Sequence, residues 1–168
     1  ILLFPLLLGV SYFYNSWTQP LLADEPTRAI VSLEMLLRGD AFPTINNEAY
    51  LNKPPLYNWI LVPFLMVFGE SEWVVRLPAI LSLLALGYLI FYFYQKITGD
   101  KEVSFFTAMA FLTSGNILFY SSLLGHIDAT FSIVIFAHFM LCYLLGSSGK
   151  WNLLFRWGYV LCFIGFML

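Results

Sequence analysis

Charge is what this chain has least of: Lys, Arg, Asp and Glu together make only 11% of its 168 residues. A soluble domain carries roughly 25%. Too few charges remain to clothe a globular surface, so a water-soluble protein is excluded and a polytopic membrane protein is expected. The formal net charge of -2 leaves no basic surface, which argues against nucleic acid as a partner. Cysteine is scarce as well. Cys142 and Cys162 both lie inside apolar runs, so neither a disulfide framework nor a thiolate metal site is expected. Zinc-ligand spacings, a P-loop, a glycine-rich dinucleotide motif and a nucleophile elbow are all missing. A soluble nucleotide-sugar site is therefore not expected. Internal repeats and low-complexity linkers are missing too.

What is abundant is apolar and aromatic: 60% and 19% of residues, in long uncharged runs. A helix needs about 20 residues to cross roughly 30 Å of hydrocarbon. By that measure about five transmembrane helices are expected, at 1–22, 72–96, 103–124 and 128–146, with a last one cut short at 153–168. The first run resembles a signal-peptide core, but it continues past Tyr14 without an A-x-A-like cleavage site, so a retained helix is expected. A start at Ile1 and a run that stops at Leu168 suggest a piece of a longer chain.

The uncharged run 54–69 decides the topology. As a helix it is only about 24 Å long, and it contains Pro63. If it crosses, Asp24 and Asp128 fall on opposite faces. If it lies at the interface, Asp24, Lys53, Arg76 and Asp128 share one face, and Lys96, Lys101, Lys150 and Arg156 share the other. The stretch from Asp24 to Arg76 holds four bases against seven acids, so the positive-inside rule puts the lysine-bearing short loops in the cytoplasm. Length, proline and charge bias favour an interfacial helix within an extracytoplasmic loop spanning 23–71. The polar face is then periplasmic, in a bacterial inner membrane, or luminal in a eukaryote. Within that loop, Glu25–Arg38 reads as a helix, with Pro26 in its first turn, Arg38 at its end and Gly39 as its cap. Ile30, Leu33, Leu36 and Leu37 form its apolar stripe, fit to lie on a membrane or on neighbouring helices.

Chemistry has few places to reside. Asp24 and Glu25 stand where the first apolar run surfaces, wet and yet beside lipid. They suit a helix cap and its dipole, and equally a general base that takes a proton from an attacking hydroxyl. Lys53, before Pro54-Pro55, suits a snorkelling anchor, or a fixed cation for a lipid-linked phosphate that gains charge as it leaves. Arg28, one turn after Asp24, suits a partner for that acid or a second phosphate contact. Asp128 is a boundary residue or a second acid for acceptor, sugar or cation, with His126 beside it. Arg76 reads as an interfacial anchor. The aromatics fit an interfacial belt better than sugar stacking, although Tyr57 is near enough to Lys53 to touch substrate.

Three motifs in order carry a resemblance. They are Ala23-Asp24-Glu25-Pro26-Thr27-Arg28, Tyr50-Leu51-Asn52-Lys53-Pro54-Pro55-Leu56-Tyr57, and Phe68-Gly69-Glu70-Ser71 with Val75-Arg76-Leu77-Pro78. Together with Asp128 they make the chain resemble the polyprenol-phosphate-sugar-dependent glycosyltransferases, which include the protein O-mannosyltransferases and the aminoarabinose transferases that modify lipid A. The resemblance implies an all-α integral membrane bundle of the GT-C type, with interfacial helices in the first extracytoplasmic loop. It implies an inverting transfer of sugar from a polyprenyl phosphate to a lipid or protein acceptor. Asp24 is then the catalytic acid with Glu25 in support. Lys53 and Arg28 contact the donor phosphate, and Asp128 and Tyr57 contact substrate. The aminoarabinose transferases carry a Glu involved in a metal site where this chain has Asn52, so no cofactor is expected with certainty. If a divalent metal is held, His126 is its candidate ligand. The competing expectation is a membrane protein that binds or flips a lipid phosphate without chemistry. A transporter fits less well, because the acids cluster at one interface rather than at mid-membrane.

Overall fold

The computed structural model describes residues 3–17, 19–122 and 124–167. The predicted outer ends of the first and last runs, at Ile1 and Leu168, lie outside them. Among the described residues seven α-helices follow one another: α1 (Leu3–Ser16), α2 (Glu25–Arg38), α3 (Leu56–Phe68), α4 (Glu72–Thr98), α5 (Lys101–Leu112), α6 (Asp128–Ser147) and α7 (Trp151–Met167). A two-residue hairpin, β1 (Thr44–Ile45) with β2 (Glu48–Ala49), sits between α2 and α3, and a single π-turn covers Ile117–Ser121.

Among the described residues two helices, α4 and α6, are long and apolar enough to cross a membrane. Five were expected, and the differences have local causes. The helix of the first run ends at Ser16, short of the expected span, and the next helix starts at Glu25. The run 103–124 does not form one helix. Thr113-Ser114-Gly115 end α5, and the chain rewinds as the π-turn. Their hydroxyl and glycine chemistry competes with the helical ladder; Thr113 Oγ1 donates back to the Met109 carbonyl at 2.7 Å.

Helices α4 and α6 run in the same direction. Ser82 and Thr130 share a hydrogen bond at 2.9 Å, and further along Phe93 meets Phe136 edge-on. Their N-termini thus share one end of the bundle. Lys96 and the Gly99-Asp100-Lys101 turn lie toward the other end, as do the residues after Ser147. Helix α7 returns beside α6, with Gly158 against His138 and Gly165 against Val134. The main core joins α1, α4, α5 and α6 through Leu8, Tyr12, Ile80, Leu83, Met109, Leu112 and Ala129. A smaller core beneath α2 and α3 holds Leu61, Leu65, Val74 and Val75.

Helix α2 has its expected ends. Pro26 is in the first turn, and Gly39, at φ 63°, closes the last one by donating to the Leu36 carbonyl. Its buried face is Glu25, Arg28, Val31, Ser32 and Met35, while Ile30 and Leu37 of the apolar stripe are exposed. The hairpin is tied to it by Glu34, which accepts from the Thr44 hydroxyl at 2.7 Å and from the Asn46 N–H. Both ends of α3 lie beside the α1–α2 connection. Lys53, just before it, meets Asp24, and Glu70 and Ser71, just after it, line a cleft with Leu21.

Candidate active site

The buried member of the acidic pair organises this end of the bundle. Glu25 and Arg76 are both fully buried. Glu25 Oε1 accepts from Arg76 Nε at 2.8 Å and from the Gly125 N–H, and Oε2 accepts from Arg76 Nη2 at 2.9 Å and from the Leu22 N–H at 2.7 Å. Arg76 spends its remaining N–H groups on the carbonyls of Ser16, Gln19 and Pro20, at 2.7–2.9 Å. All five guanidinium donors are thereby used. Burial alone would push the Glu25 carboxyl up. The hydrogen bonds from Arg76, Leu22 and Gly125 outweigh it and hold the group below its ordinary value.

This ion pair joins the α1–α2 connection, the first turns of α4 and the loop before α6. Gly125 is fixed from two sides, because the Tyr57 hydroxyl donates to its carbonyl at 3.1 Å while Glu25 takes its N–H. A Cβ at Gly125 would stand 3.1 Å from Glu25 Oε1 and 3.1 Å from the Val75 carbonyl, so a larger residue would require the carboxylate and the first turn of α4 to give way by a few tenths of an ångström.

Asp24 points the other way. It occupies the N-cap position of α2 but makes no capping hydrogen bond with its side chain. The carboxylate is exposed and pairs with the Lys53 ammonium. The Lys53 hydrogen bond is the main cause that holds its carboxyl below the ordinary range, with His126 and Arg28 contributing charge. The residue before it, Ala23, has φ 54°, a left-handed conformation uncommon for a residue with a Cβ. The backbone therefore turns sharply to present Asp24.

Arg28 is buried and lies over the Tyr57 ring, with its guanidinium carbon 5.6 Å from the ring centroid. Its Nη1 donates to Asn58 Oδ1 at a long 3.4 Å, while Asn58 Nδ2 is buried without a partner. Tyr57 is fully buried, so neither Arg28 nor Tyr57 presents an open face to substrate in this state. His126 and Asp128 border a cleft of about 590 Å³ whose deeper wall is Leu83, Ile90 and Phe139. Lys53 borders a separate cleft of about 690 Å³ with Asn52 and Trp59. Lys53, the partner of Asp24, thus borders one cleft, and His126 and Asp128 border the other. Neither a hydrogen bond nor an ion pair joins Asp128 to Asp24 or Lys53 among the described residues.

The residues at this end do not suit a metal. Asn52 brings no anionic donor, and among the described residues no three His, Cys, Asp or Glu side chains converge.

Two participants were not visible beforehand. Arg76 reads as an interfacial anchor in sequence, yet it is the most completely used donor in the site. The available signal was an arginine set directly among Val74, Val75 and Leu77, where only a partnered charge is tolerated. Gly125 has no sequence signal beyond being a glycine beside His126.

The sequence profile of the dolichyl-phosphate-mannose-protein mannosyltransferase family matches residues 52–168. An undecaprenyl phosphate-alpha-4-amino-4-deoxy-L-arabinose arabinosyl transferase of Proteus mirabilis is 33% identical over 115 residues, which is 67% of this chain and 21% of that protein. The corresponding transferase of Pseudomonas savastanoi is 31% identical over 104 residues, 61% of this chain and 19% of that one. The crystal structure of ArnT from Cupriavidus metallidurans in the apo state superposes with a TM-score of 0.78 at 26% identity, over 84% of this chain and 26% of that one. Its complex with undecaprenyl phosphate gives a TM-score of 0.77 at 25% identity, over 83% and 26%. The chain thus spans about a fifth of the length of the curated relatives it matches.

Proposed function

Since the chain belongs to the dolichyl-phosphate-mannose-protein mannosyltransferase family, we propose that it forms part of a membrane glycosyltransferase site that takes a sugar from a polyprenyl-phosphate donor. The acceptor is a lipid or protein group at the extracytoplasmic face. The observation that carries this reading is the meeting of Asp24 and Lys53, an exposed acid and an ammonium brought together from 29 residues apart in the loop. A transferase of this kind needs those two charges: a base for the acceptor and a cation for the leaving phosphate.

In the proposed reaction the acceptor hydroxyl gives its proton to the Asp24 carboxylate and its oxygen attacks the anomeric carbon. The bond from that carbon to the phosphate oxygen breaks, and the phosphate keeps the electron pair. Lys53 stabilises the charge that develops there. A single displacement of this type inverts the anomeric centre. Arg28 supports the phosphate side through its charge once Lys53 is engaged. His126 and Asp128, at the rim of the neighbouring cleft, orient sugar or acceptor. Glu25 acts as a positioning residue through Arg76, and Tyr57 as another through Gly125.

The placement of α3 supports an interfacial rather than a crossing helix. Its 13 residues reach only about 20 Å, and the segments at both its ends adjoin the same α1–α2 connection. The site then lies on one face of the membrane, opposite the short loops that carry Lys101 and Lys150.

The test is sugar release from a radiolabelled polyprenyl-phosphate sugar by the full protein. Asp24→Asn loses transfer by about 10²–10⁴-fold, the range of general-base catalysis, while inserting and accumulating normally. Retained turnover overturns the role of Asp24. Lipid-phosphate binding with no sugar release by the unaltered protein supports the non-enzymatic alternative.

A further inference from the structure

Asp24 and Lys53 are in contact, yet the displacement requires them apart. The base acts on the acceptor side of the anomeric carbon and the cation on the phosphate side, because the attacking and leaving oxygens lie roughly in line. A sugar ring has to stand between the two charges. The contact between Lys53 Nζ and Asp24 Oδ2 leaves no space for one. The pair as it stands is therefore a state that precedes donor binding.

The elements around the pair tell which partner moves. Asp24 follows the left-handed turn at Ala23 and opens α2, whose next residue is locked by the Arg76 ion pair. Lys53 lies outside any helix or strand, on a flexible four-carbon stem, and its backbone is stiffened by Pro54-Pro55. The ammonium can swing without disturbing either packed element, and the cleft it borders is open beside it.

We propose that the Asp24–Lys53 pair is a resting latch, in which Asp24 holds the seat that the donor's phosphate takes. This inference rests on the glycosyltransferase reading and deepens it. Donor phosphate draws Lys53 away, and that one exchange opens the space for the sugar. It also removes the hydrogen bond that weakens Asp24 as a base. Proton abstraction is thereby confined to the donor-loaded site, and the donor binds before the acceptor is activated. The paired state is also inert, since a lysine-bound carboxylate does not take a proton from water or from a stray hydroxyl.

The experiment is a double-mutant cycle on binding of undecaprenyl phosphate to the detergent-solubilised full protein, with no sugar and no turnover involved. Asp24→Asn frees Lys53 and tightens binding about two- to fivefold, the range carried by an exposed ion pair. In a Lys53→Gln background the same Asp24→Asn change gives no gain. An equal gain in both backgrounds shows plain repulsion between Asp24 and the phosphate, and overturns the latch. So does no gain in either. If Lys53→Gln leaves phosphate affinity unchanged, the donor-phosphate role of Lys53 fails first, which is a failure of the underlying reading and not of the exchange alone. Size-exclusion profiles identical to the unaltered protein show that each variant is folded.

Discussion

Replacing Arg76 by Met is the sharpest test of what holds this site together. The change removes five hydrogen bonds at once: two to Glu25 and one each to the carbonyls of Ser16, Gln19 and Pro20. Glu25 keeps only the N–H groups of Leu22 and Gly125, and its carboxylate stays fully buried without a counter-charge. Breaking one side of a buried pair costs about 3–5 kcal/mol. For a domain of this size each kcal/mol moves the unfolding midpoint by about 2–4 °C, so the expected fall is about 10 °C. Thermal unfolding in detergent, followed by loss of monodisperse protein, reads it directly.

The same geometry predicts recovery. In Arg76→Met with Glu25→Leu, no charge is left buried, so the double variant regains much of the stability while losing the tether on the α1–α2 connection and on Gly125. Stability and transfer then separate: the fold returns and sugar transfer does not. If Arg76→Met shifts the midpoint by no more than about 2 °C, the pair does not hold the α1–α2 connection in place. If the double variant transfers sugar normally, the positioning role of Glu25 is refuted.

Four further outcomes follow from the same contacts. Glu25 titrates below its ordinary value when folded, so its contribution is complete above about pH 4.5 and is lost as pH falls through the depressed value; acid unfolding of the unaltered protein, but not of Arg76→Met with Glu25→Leu, carries this component. Gly125→Ala drives a methyl into the Glu25 carboxylate and the Val75 carbonyl, and costs about 1–3 kcal/mol through overpacking in the same thermal assay. Tyr57→Phe removes one hydrogen bond to the Gly125 carbonyl, for a stability cost of about 1 kcal/mol; its signature is a fall in kcat greater than any rise in the donor KM. Asn52→Glu adds a second carboxylate beside Lys53, next to that of Asp24, and is expected to raise affinity for divalent cations, measured by calorimetry.

Composition and run lengths were enough to read a helical membrane protein, and the end signals of α2 were written in Pro26, Arg38 and Gly39. The lengths of the other helices were not. Hydropathy ranks residues one at a time, so the run 103–124 looks continuous although its Thr-Ser-Gly step breaks the ladder. Asp24 and Lys53 were singled out in sequence beside bland readings as a helix cap and a snorkelling anchor, and what the sequence did not give is that the two side chains meet. Tyr57 and Arg28 were read as substrate contacts, whereas both are buried, because burial depends on how α2 closes over α3. Arg76 was misread for the same kind of reason. An arginine at the start of an apolar helix has the same local sequence whether it reaches headgroups or five buried acceptors, and only the return of Glu25 across the fold separates the two.

The adjacency of Asp24 and Glu25 explains the division of labour between them. Successive residues on a helix are turned by about 100°, so two acids side by side at its start cannot both face water when one face is packed. Here α4 supplies Arg76 on the packed side, and Glu25 is drawn inward and held by four hydrogen bonds. Asp24 is thereby directed outward, with its backbone set by its neighbour's bonds and its side chain not used for capping. A lone acid at this position would have to cap the helix to keep its orientation, and capping would take up the lone pairs that the base proposed above needs. With the pair, Glu25 carries the buried ion pair to Arg76 and Asp24 keeps its lone pairs for Lys53. Exchanging the two residues, Asp24→Glu with Glu25→Asp, retains every charge but shortens the arm that reaches Arg76 and lengthens the exposed one. Transfer should fall in that variant even where the unfolding midpoint shows the ion pair re-formed.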